Sequence, residues 1–252
     1  MVMNLRPFED ERQILSIASK NHLLRDLITS EDLIDQLGPS LRLVSLSPNQ
    51  VLYEQGDKID RLYFPLDSVV SLLGIMEDGT TVETAMVGHE GLIDISAILG
   101  GGTSMQWTWV SINGLAVELE TRVLEEVFLW SETALKALLH CYRSLVTQIS
   151  QRCICNTRHT IHERLCCWLL MINDRVGEQD LRLTQETIAS RVGARRAGIT
   201  VAAGMLQGVG AIEYRRGHLH IIDRVVLEEM TCECYSILKS DFELPNYRTL
   251  SL

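Results

Sequence analysis

The sequence predicts an α+β protein with an N-terminal double-sheet β-roll, one long helix and a C-terminal helix-turn-helix with a hairpin wing. Three observations support this fold class. Residues 41–120 hold seven short β-prone runs separated by turn residues, and residues 131–156 carry an unbroken helical apolar pattern. The stretch from Thr184 to Gly217 has the spacing of two short helices followed by an alternating hairpin.

Size and composition are those of an ordinary globular chain. Its 252 residues are enough for two domains, with 46% hydrophobic and 22% charged residues. The longest apolar runs, such as VVSLLGIM and CCWLLMI, are far too short to span a bilayer, and the first residues lack the apolar run of a secretory signal. We therefore expect no membrane partner, a cytoplasmic location and seven cysteines that are mostly reduced thiols.

The first domain is expected to span residues 1–130. Residues 1–40 show short amphipathic helical patterns, for example around Leu23, Leu24 and Leu27. The β-prone runs that follow are LRLVSL, VLYEQG, RLYFPL, VVSLLGIM, TVETAMVG, WTWVSI and LAVELE. Turns separate them, including EDGT at 77–80, where glycine tolerates the positive φ of a hairpin. Short strands at this spacing favour a double-sheet roll over a parallel α/β sheet.

A long helix is predicted over residues 131–156. Apolar residues recur along it at alternating spacings of three and four, which is the a/d pattern of a coiled coil. The predicted dimerisation seam consists of Leu135, Leu138, Tyr142, Leu145 and Ile149. Ordinary core packing is the alternative explanation of the same stripe.

The third segment, residues 157–252, begins with a helix signal. TIHE at 160–163 matches a capping box, so a helix is expected from about residue 161 to about Arg175, with TRH (157–159) as a hinge before it. Thr184 is a good N-cap for a helix over 185–192, and Gly193 allows the tight turn before a second helix over 195–207. AIEYRRGHLHII alternates around Arg216 and Gly217 as a β-hairpin wing does.

The charge distribution separates this segment from the rest of the chain. The net charge is −10, yet residues 181–224 hold seven arginines against three acidic residues, about +4. A basic segment attached to an acidic body is typical of a module that meets phosphates. A purely structural helical hairpin would explain the apolar positions equally well, but not the arginine pairs Arg195–Arg196 and Arg215–Arg216.

The chain resembles the Crp–Fnr superfamily of bacterial transcription regulators over nearly its whole length. The stretches that carry the resemblance are VLYEQGDKIDRLYFP (51–65), MVGHEGLID (86–94), RHTIHERLCCWLLMINDRVG (158–177) and LTQETIASRVGARRAGITVAAGMLQ (183–207). The resemblance implies a β-roll of the cyclic-nucleotide-binding type, a long dimerisation helix and a winged helix-turn-helix. Its expected partners are double-stranded DNA, a second copy of the chain and RNA polymerase.

The resemblance also implies roles for single residues. Thr184, Gln185 and Arg195 would contact phosphates, and Arg196 takes the position at which relatives place an arginine on a guanine. Many relatives have a glutamate and a second arginine where this chain has Ala197 and Val201, so the usual half-site cannot be assumed. The expected DNA-binding set is completed by Thr200 on the second helix and by Arg215 and Arg216 on the wing.

The expected cyclic-nucleotide site is incomplete. Relatives of this kind use a Gly-Glu pair and an arginine to hold the cyclic phosphate, but here Asp94 lies near the glycine position and no arginine occurs between Arg61 and Arg122. We therefore expect an effector other than cyclic AMP, or none, and leave the cofactor open. No cysteine precedes Cys141, which argues against an N-terminal iron–sulfur cluster, and His89 is interpreted as a turn residue.

The remaining cysteines and histidines leave alternatives open. Cys155 and His159 would share a face if the helix continued through them, and CECY near the C-terminus could be brought close. Small buried side chains with inert thiols are the favoured interpretation, and no metal is expected. His218 and His220 point to one side of the wing and are interpreted as polar strand residues that contact phosphate when protonated.

The sequence therefore predicts a homodimeric regulator that binds an inverted-repeat DNA site. The alternative is a small-molecule-binding or scaffold module that acts through protein contacts. An enzyme is not expected, because no nucleophile, base and orienting group occur in a recognisable arrangement, and GGG at 100–102 lacks the Lys-Ser/Thr of a phosphate loop. The signal, the half-site sequence and the direction of regulation are not encoded in any pattern of this chain.

Overall fold

The computed structural model describes residues 3–4, 11–177 and 180–242. The described residues divide into two units, one within Met1–Leu72 and Met86–Leu145, the other within Leu73–Ala85 and Val146–Glu243. None of the described helices combines the length and the apolar character needed to cross a bilayer.

The first unit begins with short helices that cover the roll. They are α1 (Glu11–Ala18), α2 (His22–Leu27) and α3 (Glu31–Leu37). Asn21 and Ser30 cap α2 and α3 by accepting hydrogen bonds from the backbone amides of Leu24 and Leu33. The leucines of these helices are buried with those of the roll in one apolar core, which confirms the amphipathic pattern of the N-terminal segment.

The roll contains all seven predicted strands. After a two-residue strand, β1 (Met3–Asn4), they are β2 (Arg42–Leu46), β3 (Val51–Tyr53), β4 (Arg61–Pro65), β5 (Val69–Ile75), β6 (Thr81–Val87), β7 (Trp107–Ile112) and β8 (Gly114–Glu120). They form two four-stranded sheets, in the orders β1-β2-β8-β4 and β3-β7-β5-β6. The β5–β6 turn has Gly79 at φ 81°, as the EDGT signal predicts. The double-sheet roll is therefore confirmed.

Two helices follow the roll. One of them, α4 (Thr121–Trp130), was not recognised in the sequence, and the other, α5 (Glu132–Arg158), is the predicted long helix. The helix α6 (Ile161–Val176) begins at the predicted capping box, where the backbone amide of Thr160 donates to Glu163 Oε2 at 2.8 Å.

The rest of the second unit is a winged helix-turn-helix. A short strand β9 (Leu181–Arg182) precedes α7 (Gln185–Val192) and α8 (Arg196–Gly208), and the hairpin β10 (Ile212–Arg215) and β11 (His218–Ile221) follows. The three strands form one sheet in the order β10-β11-β9. The described chain ends with α9 (Arg224–Met230) and α10 (Glu233–Phe242). Trp168 of α6 is among the largest fully buried side chains.

Candidate nucleic-acid interface

The turn between α7 and α8 is built from local interactions. Thr184 caps α7 by accepting from the Thr187 amide at 3.0 Å, and Gly193 ends it in the left-handed conformation at φ 67°. Arg195 is the extended N-cap of α8, which starts at Arg196, one residue later than the sequence suggests. The apolar residues Ile188, Ala189, Val192, Ile199 and Ala202 are buried, and Ala194 is half-buried. The helix pair therefore has the geometry expected of a helix-turn-helix.

Basic side chains occupy the first turn of α8 and the tip of the wing. Arg195, Arg196, Arg215 and Arg216 are exposed and form no ion pair with any residue that the structure describes. Arg216 and Gly217 form the wing turn with φ values of 53° and 83°, so the tip has a tightly defined backbone. The predicted arginines thus lie on exposed positions of the two elements that a winged helix uses against DNA.

The side chains of Gln185 and Thr200 are joined by a hydrogen bond. The Thr200 hydroxyl donates to Gln185 Oε1 at 2.8 Å, which joins the start of α7 to the first turn of α8. The amide oxygen of Gln185 is therefore engaged, and its NH₂ group is directed away from that bond as a donor. The Thr200 hydroxyl also lies 3.1 Å from the backbone oxygen of Arg196, so its proton has two acceptors within the helix pair.

The wing is anchored by Tyr214 and carries a histidine pair. Tyr214 Oη donates to the backbone oxygen of Leu183 at 2.9 Å. Asp180 contacts both wing histidines, with His218 Nδ1 at 2.7 Å from one oxygen and His220 Nε2 at 3.2 Å from the other. The hydrogen bond from His218 lowers the pKa of Asp180. Both histidines thus lie on one polar side of the strand, as the alternation predicts.

Two of the seven arginines counted in the basic segment are not available to DNA. Arg191 is buried, with its Nε 3.7 Å from Glu83 Oε2, and Arg224 pairs with Asp174 at 2.6 Å and with Glu228 at 2.9 Å. The interface arginines are therefore fewer than composition suggests. Counting charges along the sequence cannot separate an exposed cation from one that is neutralised inside the fold.

A buried ion cluster around Glu83 holds α7 in place. Glu83 lies on β6, is fully buried and accepts from Trp168 Nε1 at 3.0 Å. Arg152 of α5 places Nη1 3.4 Å from the same carboxylate and donates to the backbone oxygen of Arg191. No sequence motif singles out Glu83, although the alternation of TVETAMVG places it on the same strand side as buried Ala85 and Val87.

The middle of α8 exposes apolar side chains. Val201 is 65% exposed and Met205 48% exposed, and Ala197 is exposed one turn earlier. Together with Arg196 and Thr200 these residues form the recognition face of α8. A face of this kind offers one forked donor followed by methyl groups.

The predicted dimerisation seam needs a correction. Leu138 is 0% exposed and belongs to the core of the first unit, and Leu145 packs partly buried against the same core. The exposed apolar stripe of α5 is displaced by one residue at these two positions and consists of Leu135, Leu139, Tyr142, Val146 and Ile149. Its spacing of four, three, four and three residues keeps the a/d pattern of a coiled coil.

The region of the expected cyclic-nucleotide site contains a buried acid. Asp94 lies at φ 57°, accepts from Ser104 Oγ at 2.9 Å, and leaves Oδ2 buried with no hydrogen-bond partner among the described residues. Burial raises the pKa of Asp94 to about 6. His89 contacts the ring of His22 edge-on with centroids 4.7 Å apart. The buried carboxyl group of Asp94 does not favour binding of an anionic cyclic phosphate at this place.

Comparison with known proteins agrees with this architecture. Residues 163–230 match the family described as the Crp-like helix-turn-helix domain. FixK2 from Bradyrhizobium japonicum is 14% identical with a TM-score of 0.65, over 76% of this chain and 98% of FixK2. A CRP/FNR-family transcriptional regulator from Thermus thermophilus is 20% identical with a TM-score of 0.60, over 75% of this chain and 97% of that one.

CLP, the c-di-GMP responsive global regulator of Xanthomonas campestris, is 14% identical with a TM-score of 0.58, over 73% of this chain and 95% of CLP. No curated protein sequence matches the chain. Residues 163–230 are therefore similar to the Crp-like helix-turn-helix domain, and the chain shares its fold with these solved regulators.

Proposed function

We propose that the protein is a transcription regulator that binds an inverted-repeat DNA site as a homodimer. The observation that carries the proposal is the set of exposed arginines without acidic partners among the described residues, at the start of α8 and at the wing tip. These two places are where a winged helix-turn-helix meets the major groove and the neighbouring backbone. RNA polymerase is the proposed protein partner.

The recognition face of α8 is proposed to read one guanine and at least one thymine. Arg196 lies in the first turn of α8, from which its guanidinium can donate to N7 and O6 of a guanine. The exposed methyl groups of Ala197 and Val201 suit the C5-methyl group of thymine, which is the apolar feature of the major groove. The half-site should therefore contain a guanine followed by a thymine-rich step.

Phosphate contacts are proposed for the residues around this face. Thr184 and the side-chain amide of Gln185 lie at the N-terminus of α7, where the helix dipole favours an anion. Arg195 flanks α8, and Arg215 and Arg216 lie on the wing. These contacts fix the orientation on the duplex and carry most of the salt dependence, whereas specificity comes from the recognition face.

Dimerisation is proposed through the exposed stripe of α5. Apolar residues at a/d spacing on an exposed helix face bury their surface when two helices pair. A two-fold dimer places its recognition helices about one turn of B-DNA apart, so the half-sites should be inverted and centred about 10 bp from each other.

The effector is proposed to be something other than cyclic AMP, or none. A cyclic phosphate in the expected cyclic-nucleotide site would approach Asp94, whose buried carboxyl group has a hydrogen bond from Ser104 and no ion pair with a cation among the described residues. Placing a second negative charge there without a counterion is unfavourable. Isothermal titration with cyclic AMP tests this point, and micromolar binding would contradict it, whereas binding of cyclic di-GMP would identify an effector of another kind.

The DNA proposal is tested by selecting duplexes from a random pool with the full-length protein and then measuring binding by gel shift. We expect an inverted repeat to be enriched. Arg196→Ala should lower the binding free energy by about 1–3 kcal/mol per half-site, which is a roughly 30-fold to 20,000-fold loss of affinity over two half-sites. The variant should also no longer distinguish the guanine from other bases. Arg122→Ala removes the same charge from α4 and should leave specificity unchanged. Enrichment of no sequence would instead favour a module that acts through protein contacts.

The wing is tested by salt dependence. Arg215→Ala should weaken binding to all sequences alike, because a phosphate contact carries no sequence information. Each phosphate contact contributes about 0.9 to the slope of log K against log salt, so two copies should lower the slope by about 1.8. An unchanged slope would remove Arg215 from the interface.

A further inference from the structure

Three cysteines and a histidine converge where the end of α5 meets the junction of α9 and α10. Cys155 lies on the last turn of α5, and the amide of His159 continues the helical pattern by donating to the backbone oxygen of Cys155 at 3.0 Å. Cys232 lies just before α10, and Cys234 lies within its first turn. One ligand atom from each of the four residues lies within 4.8 Å of all the others.

The distances match a tetrahedral metal site. The Sγ atoms of Cys155 and Cys232 are 3.6 Å apart, and Cys234 Sγ is 3.4 Å from His159 Nδ1. Zinc bonds of about 2.3 Å to sulfur and about 2.0 Å to nitrogen, at tetrahedral angles, require separations of about 3.8 Å and about 3.5 Å. Both observed separations therefore lie within a few tenths of an ångström of the required values.

The surroundings orient these atoms as ligands. The three cysteines are buried, and the side chain of His159 is largely buried. His159 Nε2 lies 3.2 Å from Glu233 Oε2, so a proton on Nε2 leaves Nδ1 as the acceptor that faces Cys234. Gln151 Nε2 donates to Cys234 Sγ at 3.1 Å. Metal-bound imidazole and thiolate commonly have a carboxylate and an amide donor in these two places.

We propose that Cys155, His159, Cys232 and Cys234 hold one structural zinc ion. Three thiolates and one neutral imidazole form a closed Cys₃His set, which leaves no position for a reacting water. The charge of this set with zinc is −1, and Arg164 brings a positive charge near it by donating to the backbone oxygen of Asn156, the residue after Cys155. The sequence alone favours inert thiols, and this proposal replaces that interpretation.

Cys167 is assigned a position outside the ligand set. Its thiol interacts with Cys155 and Cys232, but its sulfur is not among the four atoms that lie mutually within 4.8 Å. A Cys155–Cys232 disulfide is the competing explanation of the short sulfur distance. It would leave Cys234, His159 and the Glu233 contact without a role, whereas a zinc ion accounts for all of them.

The zinc ion would join the two ends of the DNA-binding segment. Cys155 and His159 precede α6, whereas Cys232 and Cys234 follow α9, and α7, α8 and the wing lie between them in sequence. Binding energy at such a site becomes folding energy of the enclosed segment. The site is independent of the proposed DNA contacts, so its test does not depend on any DNA measurement.

The metal content of the full-length protein, purified anaerobically without chelator, provides the first test. We expect elemental mass spectrometry to find one zinc ion per chain. Cys232→Ser and His159→Gln should lower the zinc content about tenfold or more, because each removes a ligand. Cys153→Ser alters an exposed thiol two residues from Cys155 and should keep one zinc ion per chain. Cys167→Ser should also keep one zinc ion per chain. If Cys167→Ser lost the zinc ion while Cys234→Ser kept it, the proposed ligand set would be refuted.

A second test uses only the wild-type chain and so does not require any variant to fold. After removal of zinc by a chelator under reducing conditions, Co²⁺ should bind with the intense visible bands of a tetrahedral thiolate complex, and Zn²⁺ should abolish them. No stoichiometric zinc together with no such bands would overturn the proposal. A Cys155–Cys232 disulfide found by peptide mapping of protein alkylated during anaerobic lysis would overturn it as well.

Discussion

The substitution Glu83→Gln isolates the charge of the buried ion cluster from its shape. Glutamine fills the same volume and keeps an acceptor for Trp168 Nε1, which lies 3.0 Å from the carboxylate. It removes the negative charge that lies 3.4 Å from Arg152 and 3.7 Å from Arg191. Both guanidinium groups then lose this ion pair inside the fold, where their side chains are at most 11% exposed.

The expected cost follows from these distances. At an effective dielectric constant of about 20, each of the two ion pairs contributes roughly 4.5–5 kcal/mol of attraction before desolvation is counted. Glutamine also removes the cost of burying the carboxylate, so the net effect is smaller than the sum of the two pairs. Breaking a buried pair by removing one partner typically costs about 3–5 kcal/mol. We expect a loss of this size in the free energy of unfolding of the second unit.

Urea denaturation and hydrogen exchange in the peptide containing Gln185–Val192 measure this loss. Glu77→Gln, on the exposed turn of the same hairpin, is the matched control and should change stability by no more than about 0.5 kcal/mol. The double variant Glu83→Gln with Arg191→Met should recover part of the loss, because one stranded cation is gone. A change below about 1 kcal/mol in Glu83→Gln, or no recovery in the double variant, would refute the reasoning.

Burial raises the pKa of Asp94 from 3.8 to about 6, so the native state binds its proton more tightly and stability falls as pH rises between these values. Asp94→Asn should therefore raise the free energy of unfolding by up to about 3 kcal/mol at about pH 7.5, and leave it nearly unchanged at about pH 4, as measured by urea denaturation. Val146→Glu should convert the dimer to a monomer in sedimentation experiments, whereas Leu129→Glu, an exposed apolar residue of α4, should not. Gly193→Ala should lower the free energy of unfolding by about 1–2 kcal/mol, because the backbone φ of 67° is unfavourable for alanine. Gly204→Ala should raise it slightly, because Gly204 lies in open space on α8 and alanine favours a helix.

Features set by neighbouring residues were predictable from the sequence. The capping box at Thr160, the N-cap at Thr184, the left-handed Gly193 and the wing turn at Gly217 each depend on a few adjacent side chains and backbone angles. The seven strand runs were predictable for the same reason, since turn residues separate them clearly. The positions of the exposed arginines follow directly from these elements.

Features set by tertiary packing were not predictable. The helix α5 carries apolar residues on two faces, and spacing alone could not decide between Leu138 and Leu139 or between Leu145 and Val146. The core of the first unit decides, because it buries Leu138 and partly buries Leu145. Arg191 resembles an interface residue in the sequence, yet its ion-pair partner Glu83 lies more than a hundred positions away. Local patterns contain no information about a partner at that distance.

The contacts around the second half of α5 also bear on where the chain can bend. The break between α5 and α6 lies at the predicted hinge, yet both sides of it belong to one unit. Gln151 donates to Cys234, Arg152 donates to Arg191, and Arg164 donates to the backbone oxygen of Asn156 at 3.2 Å. A hinge at residues 157–159 would have to break these bonds and the proposed zinc ligation together. We therefore expect the segment from Val146 to Arg158 to stay fixed to α6 within the second unit, with no bend at residues 157–159.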